Sequence, residues 1–364
     1  MTIHFSMHAK FIRNVTIALL ALTSALIPAQ AGDTYKWTVQ YLIDNSQAVS
    51  GQSQKVWPRR NRGLAMSPDG KFLYAGYHHA GNGQGEVRML AVGITDDFGR
   101  ATLHVLAGPL GKSIATDDKG RVYIANESDV LIYDEKLTQL QYSYQTALCE
   151  GVAVVRDGKD LVLYSVERQL GGVRRSLLSE EGGLISNVTL STSFGEGGTV
   201  YLKGAVSLRG AEVDSKGRIW VADNEGGRIF RISKDGKNVE TIEVTHPMDI
   251  GFDDDRAFVT RGLDRVISVF ETESMKLLGN LAAPWDELEL SPSGNDRKGA
   301  MSGIVIVPKK GFFVTNESGQ TADFKSTYGR ADAHSDLLNG KLYRDAITDD
   351  NDPILQALVI PDAK

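Results

Sequence analysis

The stretch RGAEVDSKGRIWVADNEGGRIFRIS, residues 209–233, determines the fold that we predict for this chain. Within it, the runs 211–213, 219–222 and 228–232 are rich in residues that favour strands, and short polar turns with Asp and Gly separate them. The pattern predicts three consecutive antiparallel strands. Three strands cannot bury both of their faces alone, so further copies of this unit are expected elsewhere in the chain.

The unit occurs five more times. The equivalent first-strand residues of the six copies lie 50, 38, 59, 39 and 54 residues apart, at Leu64, Ile114, Val152, Ala211, Ile250 and Ile304. This period is typical of the blades of a β-propeller, which are roughly 40–50 residues long. We therefore predict an all-β chain that forms a β-propeller of six blades, each with four antiparallel strands. The 59-residue interval after Val152 leaves room for a seventh blade.

The first 31 residues have the pattern of a secretory signal peptide. Lys10 and Arg13 precede an apolar run at 15–27, and the small-residue sequence AQA follows at 29–31. The apolar run is too short to span a membrane. We expect cleavage after Ala31, a secreted or periplasmic location, and a single propeller domain over residues 32–364 with no membrane span.

Both ends of the mature chain are expected in the last blade. Residues 35–44 alternate as a strand although they precede the first copy, and 341–344 and 354–360 follow the last copy. Pairing of the N-terminal strand with the last blade would close the ring. Polar or Gly-rich insertions lengthen the third, fifth and sixth copies, and loops of this kind on a rigid scaffold often carry binding groups.

Composition and motifs exclude several classes of function. The net charge of −6 argues against nucleic acid or an anionic membrane as the main partner. Cys149 is the single cysteine, so no disulfide can form within the chain. The sequence has no GxSxG, HExxH, paired-cysteine metal motif or P-loop, which removes several common enzyme classes.

Charged residues at corresponding positions of several copies are predicted to meet at one face of the propeller. The start of each inner strand and the end of each second strand open onto the same face, around the central channel. The cations at these positions are Arg62, Lys112, Arg209 and Arg261. We expect them to bind an anionic group, such as the carboxylate of an acidic sugar or of a peptide. The alternative is that each pairs with an acid of a neighbouring blade, as Arg209 would with Glu150.

Two histidines are further candidates for contact with the substrate. His78 and His79 are adjacent at the end of a second strand. Alternation along the strand would turn one of them toward the channel and the other away. A solvated or packed loop histidine is the alternative.

Oxygen-bearing side chains at the same face indicate a cation site. Carboxylate and amide oxygens suit Ca²⁺ or another divalent cation, and the candidate ligands are Glu150, Asn126, Asp223 and Asn224. A metal ion there would polarise a lactone or ester carbonyl, and Asp223 or Glu317 would accept a proton from the attacking water. The alternative is that Asp and Asn after a strand cap turns through their side-chain oxygens.

The repeat resembles the NHL and SMP-30/gluconolactonase-like propellers, and the YVTN-type propellers are close relatives of these. The residues that match best are Asp214, Gly217, Val221, Asp223, Arg228 and Ile229 in the fourth copy and Asp117, Gly120, Ile124 and Asn126 in the second. For SMP-30-like lactonases, the resemblance implies one metal ion held at the channel by a Glu, two Asn and an Asp. That family has its Glu at the start of the first inner strand. This chain has Arg62 there, and Glu150 in the third copy is the nearest match.

A histidine at the start of the fifth copy indicates a different reaction. His246 precedes Pro247, and so occupies an extended turn. The streptogramin lyases are also propellers, and similarity to them implies that His246 is the proton-abstracting base of a metal-dependent lyase.

Three functional hypotheses follow from the sequence. One is an exported metal-assisted hydrolase of a small polar lactone or ester. Another is a non-catalytic propeller that binds a protein, a glycan or a small ligand on its channel face, and the third is the lyase. The hydrolase requires at least three oxygen ligands within coordination distance of one another. Pairing of the candidate ligands with arginines would remove that reaction.

Overall fold

A computed structural model of the protein describes residues 34–41, 59–79, 85–93, 101–180, 194–262, 264, 266–282, 300–317 and 354–360. These residues form 23 β-strands. The strands make six blades of four antiparallel strands, which confirms the predicted six-bladed all-β propeller. The proposed signal peptide and residues 341–344 lie outside the described part of the chain.

The strands follow the chain around the ring. Strand β1 (Thr34–Tyr41) comes first in sequence but belongs to blade 6. Blade 1 contains β2 to β5, at Arg59–Met66, Phe72–His79, Gly85–Ala91 and Thr102–Gly108. Blade 2 contains β6 to β8, at Ser113–Thr116, Val122–Ala125 and Glu127–Tyr133. Its outer strand is the first half of β9 (Leu140–Asp157), and the second half of β9 is the inner strand of blade 3.

Blade 3 continues with β10 to β12, at Asp160–Glu167, Gly172–Leu178 and Thr199–Tyr201. Blade 4 contains β13 to β16, at Leu208–Val213, Ile219–Asp223, Arg228–Ile232 and Val239–Glu243. Blade 5 contains β17 to β20, at Pro247–Asp253, Arg256–Arg261, Val266–Glu271 and Leu277–Ala282. Blade 6 contains β21 to β23, at Ala300–Val307, Gly311–Glu317 and Ile354–Ile360, and β1 outside them. Within the described residues, the long interval after Val152 contains the strands of blade 3 and no seventh blade.

The inner strands β2, β6, β9, β13, β17 and β21 contact one another in this order, and β21 contacts β2. This closes the ring around a central channel. The apolar core is divided in the same way, since each of six buried clusters joins two successive blades. The cluster between blades 3 and 4, for example, packs Tyr164 and Phe194 against Val221 and Phe230. Each blade therefore depends on both of its neighbours for burial of its faces.

The closure of the ring is also as predicted. Strand β1 pairs antiparallel with β23 from Thr34 opposite Ile360 to Tyr41 opposite Ile354. Trp37 packs edge-on against Phe312 of β22, with ring centroids 5.5 Å apart. The outer strand of blade 6 thus comes from the opposite end of the chain.

The repeated Asp-x-x-Gly sequence forms the turn between the first and second strands. In blade 4, the Asp214 carboxylate accepts hydrogen bonds from the backbone N–H groups of Lys216 and Arg218 and from the indole N–H of Trp220. Asp117 does the same in blade 2 for Lys119, Arg121 and Tyr123. The Gly of each turn has a positive φ, 77° and 81° respectively, which explains the Gly at that position.

Among the residues that the structure describes, no helix is long and apolar enough to cross a membrane.

Candidate functional site

The inner strands carry irregularities at the channel mouth, and these set the direction of the polar side chains. In β2, Arg62 and Gly63 lie opposite a single residue of β3, because the pairing passes from Asn61 with Tyr77 to Leu64 with Ala75. The same shift occurs at Arg209 and Gly210 in β13, at Ser302 and Gly303 in β21, at Glu150 in β9 and at Met248 in β17. A β-bulge re-aims a side chain away from the regular alternation of the strand. In β2, β9 and β13 the bulged residue is charged, and it lines the pocket at the channel mouth.

The glycines in these bulges allow the inner strands to approach closely. A Cβ atom on Gly303 would lie 1.9 Å from the Arg62 carbonyl oxygen, and one on Gly151 would lie 2.4 Å from the Arg209 carbonyl oxygen. One on Gly210 would lie 2.0 Å from the Asp249 carboxylate. Any larger residue at these positions would push neighbouring blades apart. Each bulge in which a Gly follows a polar residue therefore lets the inner strands lie close together and also directs the polar side chain into the channel.

The six inner strands together line one pocket at the mouth of the channel. Each blade contributes at least one polar residue, and these include Arg62, Lys112, Glu150, Arg209, Asp249 and Ser302. The pocket encloses about 270 Å³ of empty space, part of which is open to solvent. The structure therefore brings together three of the four predicted anion-binding cations, Arg62, Lys112 and Arg209.

Glu150 lies at the centre of these cations. Lys112 Nζ donates to Glu150 Oε1 at 2.8 Å, and Arg209 Nη1 donates to Oε2 at 3.0 Å. Arg62 Nη1 is 3.6 Å from Oε2, and Arg168 Nη1 is 3.8 Å from Oε1. Burial alone would raise the pKa of Glu150, but the charges of Lys112 and Arg209 outweigh it and lower the pKa below its usual value. The carboxylate is therefore ionised and held by cations of four blades.

The mouth carries an excess of positive charge. Lys112 also pairs with the half-exposed Glu127 at 2.5 Å, so two carboxylates face the four cations. Burial and the nearby charge of Arg62 lower the pKa of the Arg209 guanidinium. The buried Arg209 Nε has no hydrogen-bond partner among the described residues. The lowered pKa reflects burial and the positive charge of Arg62 close by, and a further anion in the mouth would offset that charge.

Arg168 is among the residues that the sequence places at the ends of second strands, on the channel face, but it was not one of the predicted anion-binding cations. It follows Glu167 directly after the end of β10, and its side chain is the most exposed of the four cations, at 41%. Asn224 has the equivalent position in blade 4.

Asp249 and Glu212 are carboxyl groups without a cationic partner among the described residues. Asp249 lies in the mouth, where its two oxygens accept the backbone N–H groups of Ile250 and Ile304, at 3.0 and 3.1 Å. Burial raises the pKa of Asp249 to about 8, although the two N–H donors oppose this, and Glu212 adds to the rise. Burial also raises the pKa of Glu212 to about 7. Near neutral pH, Asp249 is therefore mostly uncharged, and the cationic excess of the mouth persists.

The four candidate metal ligands do not converge. Asn126 Oδ1 accepts the Leu110 N–H at 2.8 Å, and the Asn126 amide donates to Asp129. The Asn224 amide donates to the Pro247 carbonyl oxygen at 3.3 Å. Glu150 is surrounded by cations that would repel a metal ion. Among the described residues, no three His, Cys, Asp or Glu side chains come together in a way that could hold a metal ion. The residues present therefore do not fit Ca²⁺ or another divalent cation.

Asp223 is engaged in the structure of blade 4. Its fully buried carboxylate accepts the N–H groups of Val206 and Ser207, the latter at 2.6 Å, and pairs with Arg228 Nε at 3.1 Å. In blade 3, Glu167 has the same role, since it accepts the Ala147 N–H and pairs with Arg174. These contacts fix the segment that leads into the inner strand. They fit the alternative of a capping side chain, and no free carboxylate oxygen of Asp223 faces the mouth pocket.

Arg261 and His246 lie on blade 5, outside the lining of the mouth pocket. Arg261 donates to Asp264 and to the hydroxyl and carbonyl oxygens of Thr245. His246 has a left-handed φ of 46°, and its Nδ1 lies 3.5 Å from Asp264 Oδ1. The predicted convergence of Arg261 with the other three cations therefore does not occur. The side chains of His78, His79 and Glu317 lie outside the described part of the chain.

Comparison with known proteins shows the fold. No protein-family model matches the sequence, and no curated protein matches it. Among solved structures, a catalytically inactive form of virginiamycin B lyase from Staphylococcus aureus with quinupristin has a TM-score of 0.51 at 10% identity, over 89% of this chain and 99% of that chain. The WD40 repeats of RRP9 have a TM-score of 0.51 at 12% identity, over 77% and 79% of the two chains. A 6-phosphogluconolactonase-like protein from Bacteroides uniformis has a TM-score of 0.46 at 15% identity, over 72% and 82%. At these identities the likeness to the first two is one of fold, and it supports assignment to the β-propellers.

Proposed function

We propose that this protein binds a small anionic ligand in the mouth of its propeller channel. The observation that carries the proposal is the meeting of Arg62, Lys112, Arg168 and Arg209 around one buried carboxylate. Glu150 and Glu127 leave part of the positive charge of these cations uncompensated. A ligand carboxylate or phosphate would compensate it. Arg offers a planar pair of donors that suits such groups.

The low exposure of the mouth strengthens this attraction. The side chains of Arg62 and Lys112 are each 9% exposed, and that of Arg209 is 14% exposed. Charges interact more strongly where little water screens them. The rigid bulged strands also hold the cations in position before the ligand arrives, which lowers the entropy cost of binding.

Metal-assisted hydrolysis of a lactone or ester is not part of the proposal. That reaction needs oxygen ligands around a cation, whereas the oxygens of Glu150, Asn126 and Asp223 are bonded to protein donors. Export is a separate proposal, supported by the leader-like sequence of residues 1–31. N-terminal sequencing of protein expressed in a bacterial host should show processing after Ala31.

Calorimetric titration with acetate, phosphate and gluconate at low ionic strength tests the binding proposal. We expect binding by at least one of these anions, and at least about tenfold weaker binding by Arg209→Gln, because loss of one charged hydrogen bond costs about 1.5–3 kcal/mol. Arg156→Gln is a matched control, since Arg156 pairs with Asp118 and Glu180 and takes no part in the mouth. It should bind the anions as the wild type does. Failure of all three anions to bind at millimolar concentration would overturn the proposal.

A lyase-type reaction is a second candidate, favoured by the place of His246. Its ring lies 3.5 Å from Asp264, and Met248, two residues further on, lines the mouth. A histidine paired with a carboxylate is suited to removing a proton from a bound ligand. Exchange of the α-proton of gluconate with deuterated solvent, followed by NMR, should occur with wild-type protein and disappear in His246→Ala. No exchange with wild-type protein at saturating ligand would contradict this candidate.

A further inference from the structure

Three large apolar side chains are exposed on the mouth face beside the cations. Leu148 is 41% exposed, Tyr201 is 58% exposed and Val206 is 54% exposed. Tyr201 ends the outer strand of blade 3. The remaining large apolar side chains of this kind in the described residues are on outer strands of blades 1, 2, 4 and 5, at Leu103, Leu140, Tyr142, Val239 and Leu277. Isolated exposed apolar residues on outer strands are ordinary for a protein surface. Leu148 and Val206 are not on outer strands and lie close in sequence to the charged residues Glu150 and Arg209, so they are not explained in that way.

Backbone contacts place these three residues, which we call the apolar strip, next to the mouth. Leu148 is two residues before Glu150, and its carbonyl oxygen accepts the Arg168 N–H at 2.9 Å. Tyr201 is opposite Gly172, at the end of β11 that follows the turn of Arg168. Val206 donates its N–H to Asp223 and lies three residues before Arg209. The strip therefore begins at the cation cluster and continues outward over the top of blade 3.

The backbone of Leu148 is consistent with a functional position. Leu148 has a φ of 58° at the bend where β9 passes from blade 2 to blade 3. A non-Gly residue in this region costs on the order of 1 kcal/mol. The bend leaves the Leu148 side chain 41% exposed, two residues before Glu150, while the Leu148 backbone is held by the Arg168 N–H.

We propose that the ligand of the mouth is an amphiphilic carboxylate, with its charged group at Arg209 and its aromatic or aliphatic part lying across Leu148, Tyr201 and Val206. This proposal rests on the anion-binding function proposed above, and it identifies the class of ligand. The charge complementarity of the mouth selects the carboxylate end. The strip removes the apolar end from water, and the ring of Tyr201 offers it a flat face.

A series of matched ligands tests the proposal with full-length mature protein. Titrations of acetate, 3-phenylpropanoate, gluconate and the neutral 3-phenylpropanamide separate the charge from the apolar part. We expect 3-phenylpropanoate to bind at least about tenfold tighter than acetate, a difference of about 1.4 kcal/mol. The amide should bind at least about tenfold weaker than its acid, because it lacks the charge that the cations bind.

Substitutions test whether the apolar strip causes the higher affinity of 3-phenylpropanoate relative to acetate. Tyr201→Ser should reduce the ratio of the affinities for 3-phenylpropanoate and acetate to below about threefold, a loss of roughly 0.7 kcal/mol or more in binding free energy. Tyr142→Ser is the matched control, since Tyr142 is exposed to 40% on the outer strand of blade 2, and it should leave the ratio as in wild type. Arg209→Gln should weaken acetate and 3-phenylpropanoate by the same factor.

The outcomes separate this inference from the function on which it rests. If no anion binds, the anion-binding function fails and the inference with it. If acetate, gluconate and 3-phenylpropanoate bind equally, or Tyr201→Ser leaves their ratio unchanged, anion binding stands and the amphiphilic ligand is excluded. Gluconate binding tighter than 3-phenylpropanoate would identify a sugar acid instead. Equal binding of the acid and its amide would show that the strip acts without the cations, which also overturns the inference.

Discussion

Glu150 shows how one buried residue organises the mouth. A carboxylate that is only 4% exposed is costly to bury alone, and four cations around it offset that cost. The cations in turn would repel one another without it. Glu150 therefore acts as a structural counter-ion, and the net positive charge that remains is available to a ligand.

Glu212 and Asp249 represent the opposite case, since burial raises the pKa of each and no described cation compensates them. A carboxyl group with a raised pKa in the folded state stabilises the protein at low pH. That contribution is lost as the pH rises through the folded-state pKa. For Glu212, this window extends from its ordinary pKa of 4.5 to about 7.

Glu212→Gln should therefore stabilise the protein in a pH-dependent way. The Gln side chain can still accept the Val213 N–H, which Glu212 Oε1 accepts at 2.8 Å, but it does not ionise. Relative to wild type, the free energy of unfolding should rise by roughly 2 kcal/mol more at about pH 8 than at about pH 5. Urea denaturation at the two pH values measures this.

Glu180→Gln is the control for that measurement. Hydrogen bonds from Lys119 and Arg156 lower the pKa of Glu180 to about 2, so its contribution to stability is present throughout this range and is lost only in strong acid. This substitution should lower stability by a similar amount at both pH values. An effect of Glu212→Gln that is equal at the two pH values would contradict the assignment of a raised pKa.

At the scale of single elements, the start of an inner strand and the end of a second strand have different roles. The bulge near the start of an inner strand presents a polar side chain to the channel, as at Arg62 and Arg209. The acidic side chain at the end of a second strand holds the preceding segment in place, as with Glu167 and Asp223. Both positions lie at the same face, but only the first contributes to the mouth pocket.

Asp223→Ala tests the structural task directly. It would leave the N–H groups of Val206 and Ser207 and the guanidinium of Arg228 without their acceptor. We expect a loss of about 3–5 kcal/mol in the free energy of unfolding, because a buried charged pair loses one partner. Chemical denaturation followed by circular dichroism measures it.

Asn224→Ala provides the comparison for this substitution. Asn224 neighbours Asp223 in the chain, and its amide donates to the Pro247 carbonyl oxygen at 3.3 Å and to Met248 Sδ at 3.1 Å. Its removal should cost about 1 kcal/mol or less. If Asp223→Ala and Asn224→Ala were about equally stable, Asp223 would not hold the segment before the inner strand. It would then again be a candidate catalytic residue.

For the whole molecule, ring closure is the decisive event. Each apolar cluster joins two blades, so the cluster between blades 6 and 1 forms only when the ring is complete. Strand β1 supplies the outer strand of blade 6 and covers Phe312 with Trp37. Stability of the mouth therefore depends on residues near both ends of the chain.

Trp37→Ala should weaken this closure. Loss of a large aromatic side chain from a packed site costs about 3 kcal/mol, and partial exposure of Trp37 places the expected loss at about 2–3 kcal/mol. Urea unfolding of the variant, monitored by circular dichroism, measures the change. Leu277→Ala, on the exposed outer strand of blade 5, should change stability by about 0.5 kcal/mol or less. Equal effects of the two substitutions would mean that β1 contributes no more than an ordinary outer strand.

The sequence alone was sufficient to predict the repeat, the number of blades and the use of an N-terminal strand to close the last blade. These features depend on strand alternation and turn residues, such as Asp214 and Gly217, whose preferences are local. The same reasoning placed Arg62, Lys112, Glu150 and Arg209 at one face. Alternation could not predict the bulges that turn these side chains into the channel.

Tertiary structure decided between the alternatives that the sequence left open for the charged residues. Arg209 pairs with Glu150, as one alternative stated, and Lys112 binds the same carboxylate. The same Asp and Asn residues that suggested a metal site are bonded to backbone groups and arginines. Glu150 is paired with Lys112 and Arg209, which are 38 and 59 residues away in sequence. The physical reason is that ion pairing depends on distances of a few ångströms between blades. Those distances are set when the ring closes and not by the local pattern of any one strand.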